Sequence, residues 1–400
     1  MDTRIKDLKV ELTHECYSIM GFWQKNTLDD ANGGFIGSID SDMTKHPESE
    51  KGAVLNARIL WAYSAAYRVF KNPDYLTLAR RAYLYNTEHF IDKQFGGCYW
   101  MLNADGTPSN TRKQIYALAF MMYGLVEFYR ITKKKEALDE AVKLFEVIEQ
   151  HSFDPVNNGY FEAYSREWVL LEDLRLSEKD KNDPKTMNTH LHILEAYTNL
   201  YRVWKDDKLK TALKNLIVNI FLGKIINKEK GYFDLFFGAD WTHKSENNSY
   251  GHDIEGSWLL WEAAQVLGDE AVLAQCKPIC LKMAEQAYRD GLDKDGGLMS
   301  EGTNGVVEDS DKHWWPQAES VIGFINAYQL SDDEKFLDAA INSWEFIKNY
   351  IIDNKNGEWY WRVSKDEHKV YTEEQKTGPW KCPYHNSRMC MEIVERFQVE

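Results

Sequence analysis

The chain has 400 residues, a formal net charge of −15, and 44% hydrophobic and 14% aromatic content. This composition provides for a large core and argues against nucleic acid, anionic membranes and, more mildly, polyanionic substrates. No apolar run approaches the length of a membrane span, and the opening Met-Asp-Thr-Arg-Ile-Lys lacks the apolar core of a secretion signal.

A helical pattern over 3–23 opens the chain and meets a turn cluster, Asp-Asp-Ala-Asn-Gly-Gly-Phe, at 29–35. Apolar residues at helical spacing then predict a helix over 54–70. Asn72-Pro73-Asp74 starts a second helix running to about 90, with Pro well placed in a first turn. The turn recurs at 92–100, 154–161, 227–233, 293–298 and 353–361, anchored on Gly34, Gly97, Gly159, Gly231, Gly297 and Gly357. In each, glycine supplies a positive φ at no steric cost, and a short aromatic, strand-like run follows. Between turns the helix pair repeats at 114–131 with 136–151, 188–204 with 208–222, 253–267 with 270–289, and 317–330 with 333–350. The two ends, 3–23 and 384–397, supply a sixth pair.

Repetition at this period signals a repeat architecture. Six helix pairs, the last completed by the two termini, predict an all-α fold: an (α/α)6 barrel with short β-like hairpin loops at its pocket end. Residues 1–400 are expected to form one such domain. The first helix of each pair is apolar nearly all round, as in Ile-Tyr-Ala-Leu-Ala-Phe-Met-Met-Tyr at 115–123, which suits an inner ring. An open solenoid would not bury it so fully. Cys16, Cys98, Cys276, Cys280, Cys382 and Cys390 form no Cys-x-x-Cys pair and read as thiols of a reducing compartment, so a cytoplasmic protein is expected.

If the first helices line the inside, their starting residues converge on one pocket. Those positions hold Arg58, Tyr116, Asn188 with His192, His252 with Glu255, Trp314 with Trp315, and His385. His252 and Glu255 are three apart and share a helical face, so the carboxylate is expected to orient the imidazole or hold its charge. His190 faces elsewhere on its helix, and His243 and His313 fall in loops near the cavity end. His14, His46, His89, His151 and His368 read as surface residues. Trp380, in a proline-stiffened loop five residues before His385, would make a flat platform for a sugar. No Gly-rich dinucleotide loop occurs, and His252-x-x-Glu255 lacks the second histidine of a zinc-protease helix, so neither cofactor nor metal is expected.

Four segments carry a resemblance: Lys-Thr-Met-Asn-Thr-His-Leu-His-Ile-Leu-Glu-Ala-Tyr at 185–197, Tyr-Gly-His-Asp-Ile-Glu at 250–255, Trp-Trp-Pro-Gln-Ala-Glu at 314–319, and Pro-Trp-Lys-Cys-Pro-Tyr-His-Asn-Ser-Arg at 379–388. In these, and over essentially its whole length, the chain resembles the N-acylglucosamine 2-epimerase superfamily, whose fold is the (α/α)6 barrel. The resemblance implies that His252 and His385 are an acid/base pair and that His192 assists at the reacting oxygens. It further implies that Arg58, Tyr116, Asp180, Asn188 and Glu255 contact the reducing sugar, with Trp315 and Trp380 stacked on a disaccharide. The implied reaction is cofactor-independent epimerisation at C2 of the reducing-end glucose of β-1,4-linked disaccharides such as cellobiose, lactose or mannobiose.

Two imidazoles suit this chemistry, since one can abstract the C2 proton while the other returns a proton to the opposite face. A mannose 2-epimerase or aldose–ketose isomerase of the same superfamily is the nearest alternative. A glycoside hydrolase of the same barrel would need two carboxylates across a bond, from Glu255 with Glu301 or Glu319. A non-catalytic sugar-binding protein would use only the aromatics. A small-molecule sugar is the expected partner, with no nucleic acid, no membrane, and a monomer or weak homodimer.

Overall fold

Burial separates two kinds of helix that alternate along the chain. The computed structural model describes residues 2–178 and 180–398. Its helices are α1 (Thr3–Asn26), α2 (Ala53–Phe70), α3 (Pro73–Tyr85), α4 (Ile115–Thr132), α5 (Lys135–His151) and α6 (Met187–Val203). They continue as α7 (Asp207–Asn215), α8 (Tyr250–Leu267), α9 (Glu270–Gln286), α10 (Trp314–Ser331), α11 (Glu334–Phe346) and α12 (His385–Arg396). In α4 every residue from Ile115 to Phe128 is buried. In α5 only Ala137, Ala141, Leu144, Phe145 and Ile148 are, a single stripe at helical spacing.

The fully buried helices form a closed ring. Each of α2, α4, α6, α8, α10 and α12 packs on the next, and α12 returns to α2. Outside them, α3, α5, α7, α9, α11 and α1 each lie against their own inner partner. This is the (α/α)6 barrel that the repeats predict. The outer-helix patterns predicted to run to 90, 222, 289 and 350 do so, but their last turns widen into π-helical segments at Asn86–Phe90, Leu216–Ile225, Ala287–Gly291 and Ile347–Ile351.

The β-like hairpins are the stitching of the ring at one end. The residues just ahead of an inner helix pair antiparallel with a segment of the following repeat: Lys51–Gly52 with Met101–Leu102, Lys113–Gln114 with Ala163–Tyr164, and Lys185–Thr186 with Phe236–Phe237. Asn247–Ser249 with Glu301–Thr303 and Lys312–His313 with Arg362–Val363 continue the series. A bridge between Ile39 and Thr377 joins its two ends.

The turns themselves are built on aspartate. Asp29 Oδ1 accepts the backbone N–H of Ala31 and Asn32 at 3.1 and 2.9 Å, which closes the turn locally. Its Oδ2 takes the ammonium of Lys51 at 2.7 Å, with Lys51 wholly buried. The brace recurs as Lys113–Asp92, Lys185–Asp154, Lys312–Asp293 and Lys376–Asp353 at 2.6 to 2.9 Å. In the fourth repeat both partners are neutral. Asn227 makes the turn through its Oδ1 and Asn248 stands where the lysine would be. In the fifth, the positive φ falls on Gly296 and not on the expected Gly297. Gly297 is needed for room instead, since a Cβ there would meet Lys312 Cδ at 2.6 Å.

Asp29→Asn keeps the turn's acceptor but leaves the Lys51 ammonium buried without a counter-charge. It is expected to cost about 3–5 kcal/mol in urea unfolding, most of it restored by adding Lys51→Met. An equal loss in the single and double variants would mean that the charge pair is not what holds the turn.

Candidate active site

Counted from its first residue, each of the five inner helices α2, α4, α6, α8 and α10 carries its sixth residue on one face: Arg58, Phe120, His192, Glu255 and Glu319. Together with residues of the first turns and His385 of α12, most of them surround a cavity of about 280 Å³ at the stitched end of the barrel. Arg58, Tyr116, Asn188, His192, His252, Glu255, Trp315, Trp380 and His385 all line it, as the sequence predicts. Trp361 and His313 line it too. Asp180 does not. It lines an adjoining lobe of about 260 Å³ that shares Asn188 and His252, and its Oδ2 accepts from Ser177 N at 2.9 Å.

Three of the cavity imidazoles, His192, His252 and His385, have Nδ1 engaged by different partners, which leaves Nε2 as the available nitrogen of each. His192 Nδ1 meets Glu195 Oε2 at 2.9 Å. His385 Nδ1 meets Glu319 Oε1 at 2.7 Å. Glu319 already accepts from Arg388 and from the Trp258 indole, so it acts as an acceptor toward the His385 N–H. His252 differs from expectation. Its Nδ1 bonds Ser249 Oγ at 2.9 Å, not Glu255. Three residues toward the helix start, a serine supplies the partner, and Glu255 turns to the floor, where its Oε1 bonds Arg388 at 2.6 Å. Gly251 lets the Trp315 indole close over this helix start, since a Cβ there would fall 2.6 Å from Cη2. The indole then lies 4.7 Å from the His252 ring, centre to centre.

The floor is Arg388, fully buried. It bonds Glu195, Tyr384, Glu255 and Glu319. Among the described residues, the set with spacing suited to a metal ion is Glu255, Glu319 and His385. Both carboxylates there bond the same Arg388 nitrogen at 2.6 Å, so a guanidinium does the electrostatic work of a cation. The same guanidinium fills the gap between the two carboxylates where a scissile glycosidic bond would have to lie, which disfavours the hydrolase reading. Glu301 lines only the adjoining lobe. Above the floor, Arg58 donates to Tyr116 Oη at 2.9 Å and lies over the Phe120 ring at 4.1 Å.

Burial keeps the imidazoles neutral. His252 is pushed down to about 3, by burial first and then by His192. His385 is held well below its ordinary value by burial and then by Arg58. His192 is lowered by burial against the opposing pull of Glu195. Glu195 is held down to about 2, because Arg388 and His192 outweigh its burial.

Several sequence readings of single residues need adjustment. His190 is buried and structural: its Nε2 accepts from Tyr160 N at 2.9 Å, holding the Gly159 turn. His243 pairs with Asp234 at 2.7 Å and lines neither lobe. Of the five histidines read as surface residues, His14 is exposed and the others are half-buried. Glu195, Glu319 and Arg388 were not singled out as site residues for this chemistry. The signal for Glu319 was present, as the sixth position of its helix. Glu195 lies three residues after His192.

A barrel with three Nδ1-held imidazoles, a guanidinium and several indole rings at one mouth is suited to proton transfer on a sugar. The chain belongs to the N-acylglucosamine 2-epimerase (GlcNAc 2-epimerase) family, which it matches over residues 34–388. It is 50% identical over 397 residues to the cellobiose 2-epimerase of Bacteroides fragilis, covering 98% of this chain and 100% of that one. It is 41% identical over 396 residues to the cellobiose 2-epimerase of Ruminococcus albus, covering 98% of each. The solved structure of cellobiose 2-epimerase from Bacillus thermoamylovorans superposes with a TM-score of 0.92 at 42% identity, covering 99% of this chain and 100% of that one.

The His252 shift sets a pH dependence. An unfolded imidazole titrates near about 6.5. Between that value and about 3 the unfolded chain binds a proton that the folded one does not. The corresponding stability is present above the unfolded value and is lost as pH falls through the window, by at most about 1.4 kcal/mol per pH unit. The bound is an upper one because His252 is half-buried and its cavity edge meets solvent. His252→Gln is expected to flatten the profile in urea unfolding between pH 7 and 4.5. Identical slopes in both proteins would remove this residue as the source.

Proposed function

We propose that the protein epimerises C2 of the reducing-end glucose of β-1,4-linked disaccharides, converting cellobiose to 4-O-β-D-glucopyranosyl-D-mannose and lactose to epilactose. The observation that carries this reading is the trio of cavity imidazoles, each with Nδ1 held and Nε2 available. The names of the relatives, cellobiose 2-epimerase in each case, support the substrate class.

The sugar ring opens first, with proton transfers at O1 and O5. One imidazole of the His252 and His385 pair, neutral at rest, then takes the C2 proton and leaves a cis-enediolate. The other, as imidazolium carrying a proton drawn from solvent, returns one to the opposite face. The enediolate's negative charge favours imidazolium beside it and so offsets the depression that burial imposes. Negative charge on O1 is met by Arg58, Asn188 and His192, and by the N-terminal ends of the inner helices, whose dipoles favour an anion. The Asn188 Oδ1 is buried without a partner, which suits a sugar hydroxyl as donor. Tyr116, Glu255 and Asp180 contact the reducing sugar in this reading, and Trp315 and Trp380 stack on the disaccharide. Neither a cofactor nor a metal enters any step. Reprotonation at C1 gives a ketose, so slow isomerisation is an expected side reaction.

Lining residues come from all six inner helices, so residues 1–400 act in this reading as one (α/α)6-barrel epimerase domain, a monomer or weak homodimer. Six free, buried cysteines support a cytoplasmic setting. No helix among the described residues is long and apolar enough to cross a membrane.

Proton NMR with cellobiose in deuterated water tests the proposal. The expected product is 4-O-β-D-glucopyranosyl-D-mannose with deuterium at C2, and His385→Ala should slow its formation by about 10²–10⁴-fold. Free glucose would replace the reading with hydrolysis. Product without deuterium would overturn the exchange of protons with solvent.

A further inference from the structure

The far end of the barrel, where the inner helices finish, is unlike the rest of this acidic molecule. The sixteenth residues of α2, α4 and α6 are Arg68, Arg130 and Arg202, at one register on three adjacent inner helices. With Lys133 and Lys205 they line a depression of about 710 Å³ whose lining includes no carboxylate. Five cations converge there on a chain of net charge −15.

Basic residues at helix C-termini often serve only to oppose the helix dipole. The register argues against that as the whole account. The sixteenth residues of α8 and α10 are Gln265 and Gln329, and the last turns of those helices carry no basic residue. The cations are gathered on one side of the ring.

The arginines are also held in place. Arg68 bonds Glu127 at 2.6 Å, Arg130 bonds the other oxygen of Glu127 at 2.8 Å, and Arg202 bonds Glu262 at 2.7 Å. Arg68 also bonds Glu395 through Nη1, so carboxylates hold two edges of Arg68 and one edge each of Arg130 and Arg202. Arg68 Nη2, Arg130 Nε and Nη2, and Arg202 Nε and Nη1 have no partner among the described residues. Lys133 and Lys205 form no ion pair among the described residues, and their ammoniums lie 5.3 and 3.8 Å from the Tyr129 and Tyr201 ring centres. Lys205 is lowered by burial and then by its cationic neighbours Arg202 and Lys210, a repulsion that a bound anion would relieve. Beneath the depression, a second cavity of about 200 Å³ shares the three arginines but is lined, besides Trp61, by the carboxylates of Glu127, Glu195, Glu262, Glu392 and Glu395, so only the outer side of the guanidiniums is free of carboxylates. The Trp61 indole N–H is buried without a hydrogen-bond partner, a donor left open in a polar space.

We propose that this end of the barrel binds a multiply charged oxyanion of the phosphate class, seated on Arg130, Arg202, Lys133 and Lys205. Fixed guanidiniums with free N–H edges are the preorganised form of such a site. The depression shares no lining residue with the sugar cavity at the opposite end.

Isothermal titration calorimetry of the intact protein with sodium pyrophosphate, in a chloride buffer of low ionic strength, tests it. A saturable one-to-one isotherm is expected. Arg202→Gln, which copies the residue of α8 and α10, and the exposed pair Lys133→Ala with Lys205→Ala should each weaken binding by about tenfold or more. The lysine variant should turn over cellobiose as the parent does. No saturable heat, or equal affinity in the parent and both variants, would overturn the proposal.

Discussion

Arg388 is a guanidinium with no contact with solvent, and the floor of the pocket is arranged around it. Taking such an ion out of water costs several kcal/mol even after relaxation. The cost is offset by Glu195, Glu255 and Glu319, which come from α6, α8 and α10, and by the hydroxyl of Tyr384. Three carboxylates around one cation cannot all ionise without leaving net negative charge in the core. Glu195 is held down to about 2, while Glu255 and Glu319 are pushed up, chiefly by burial and partly by neighbouring carboxylates. Because Glu195 also holds His192 and Glu319 also holds His385, one buried cation fixes two imidazoles.

In the proposed mechanism the chemistry depends on keeping those imidazoles neutral and close to helix N-termini. Both conditions disfavour imidazolium in the empty pocket and favour a negatively charged intermediate in the filled one. The fourth repeat fits this logic. It carries His252, and it alone replaces the buried lysine–aspartate brace with Asn248 and Asn227. A lysine at 248 would put a buried ammonium one residue from Ser249, the partner of His252. Replacing both members at once avoids an unpaired buried charge and spares His252 a cationic neighbour.

The ring was legible in the sequence because it is written by local rules. Turn glycines and helix pairs recur six times, and near all-round apolarity marks the inner helices other than α12, whose place follows from closing the ring. The cavity residues followed, since one face of each inner helix start looks into the ring. Partner choice was not legible. Spacing offers an imidazole neighbours three or four residues away on either side, and it does not choose among them. His252 took Ser249 where Glu255 had been expected, and His192 took Glu195, which had the same spacing and had been passed over. The five braces were missed for another reason. Lysine is among the residues least often fully buried, so Lys51, Lys113, Lys185 and Lys312, each two positions before a helix, and Lys376, in the loop before α12, read as solvent-facing unless an aspartate is known to lie beneath them.

Arg388 could not have been found by spacing at all. Its carboxylate partners lie 193, 133 and 69 residues away in the chain. They meet only because α12 packs back against α2 and the Ile39–Thr377 bridge joins the first repeat to the last. His385 stands three residues before Arg388 on the same helix and depends on the same closure. A solenoid of these helix pairs would present five of the six helix starts and neither of these two side chains in place. Ring closure is therefore a condition of the pocket.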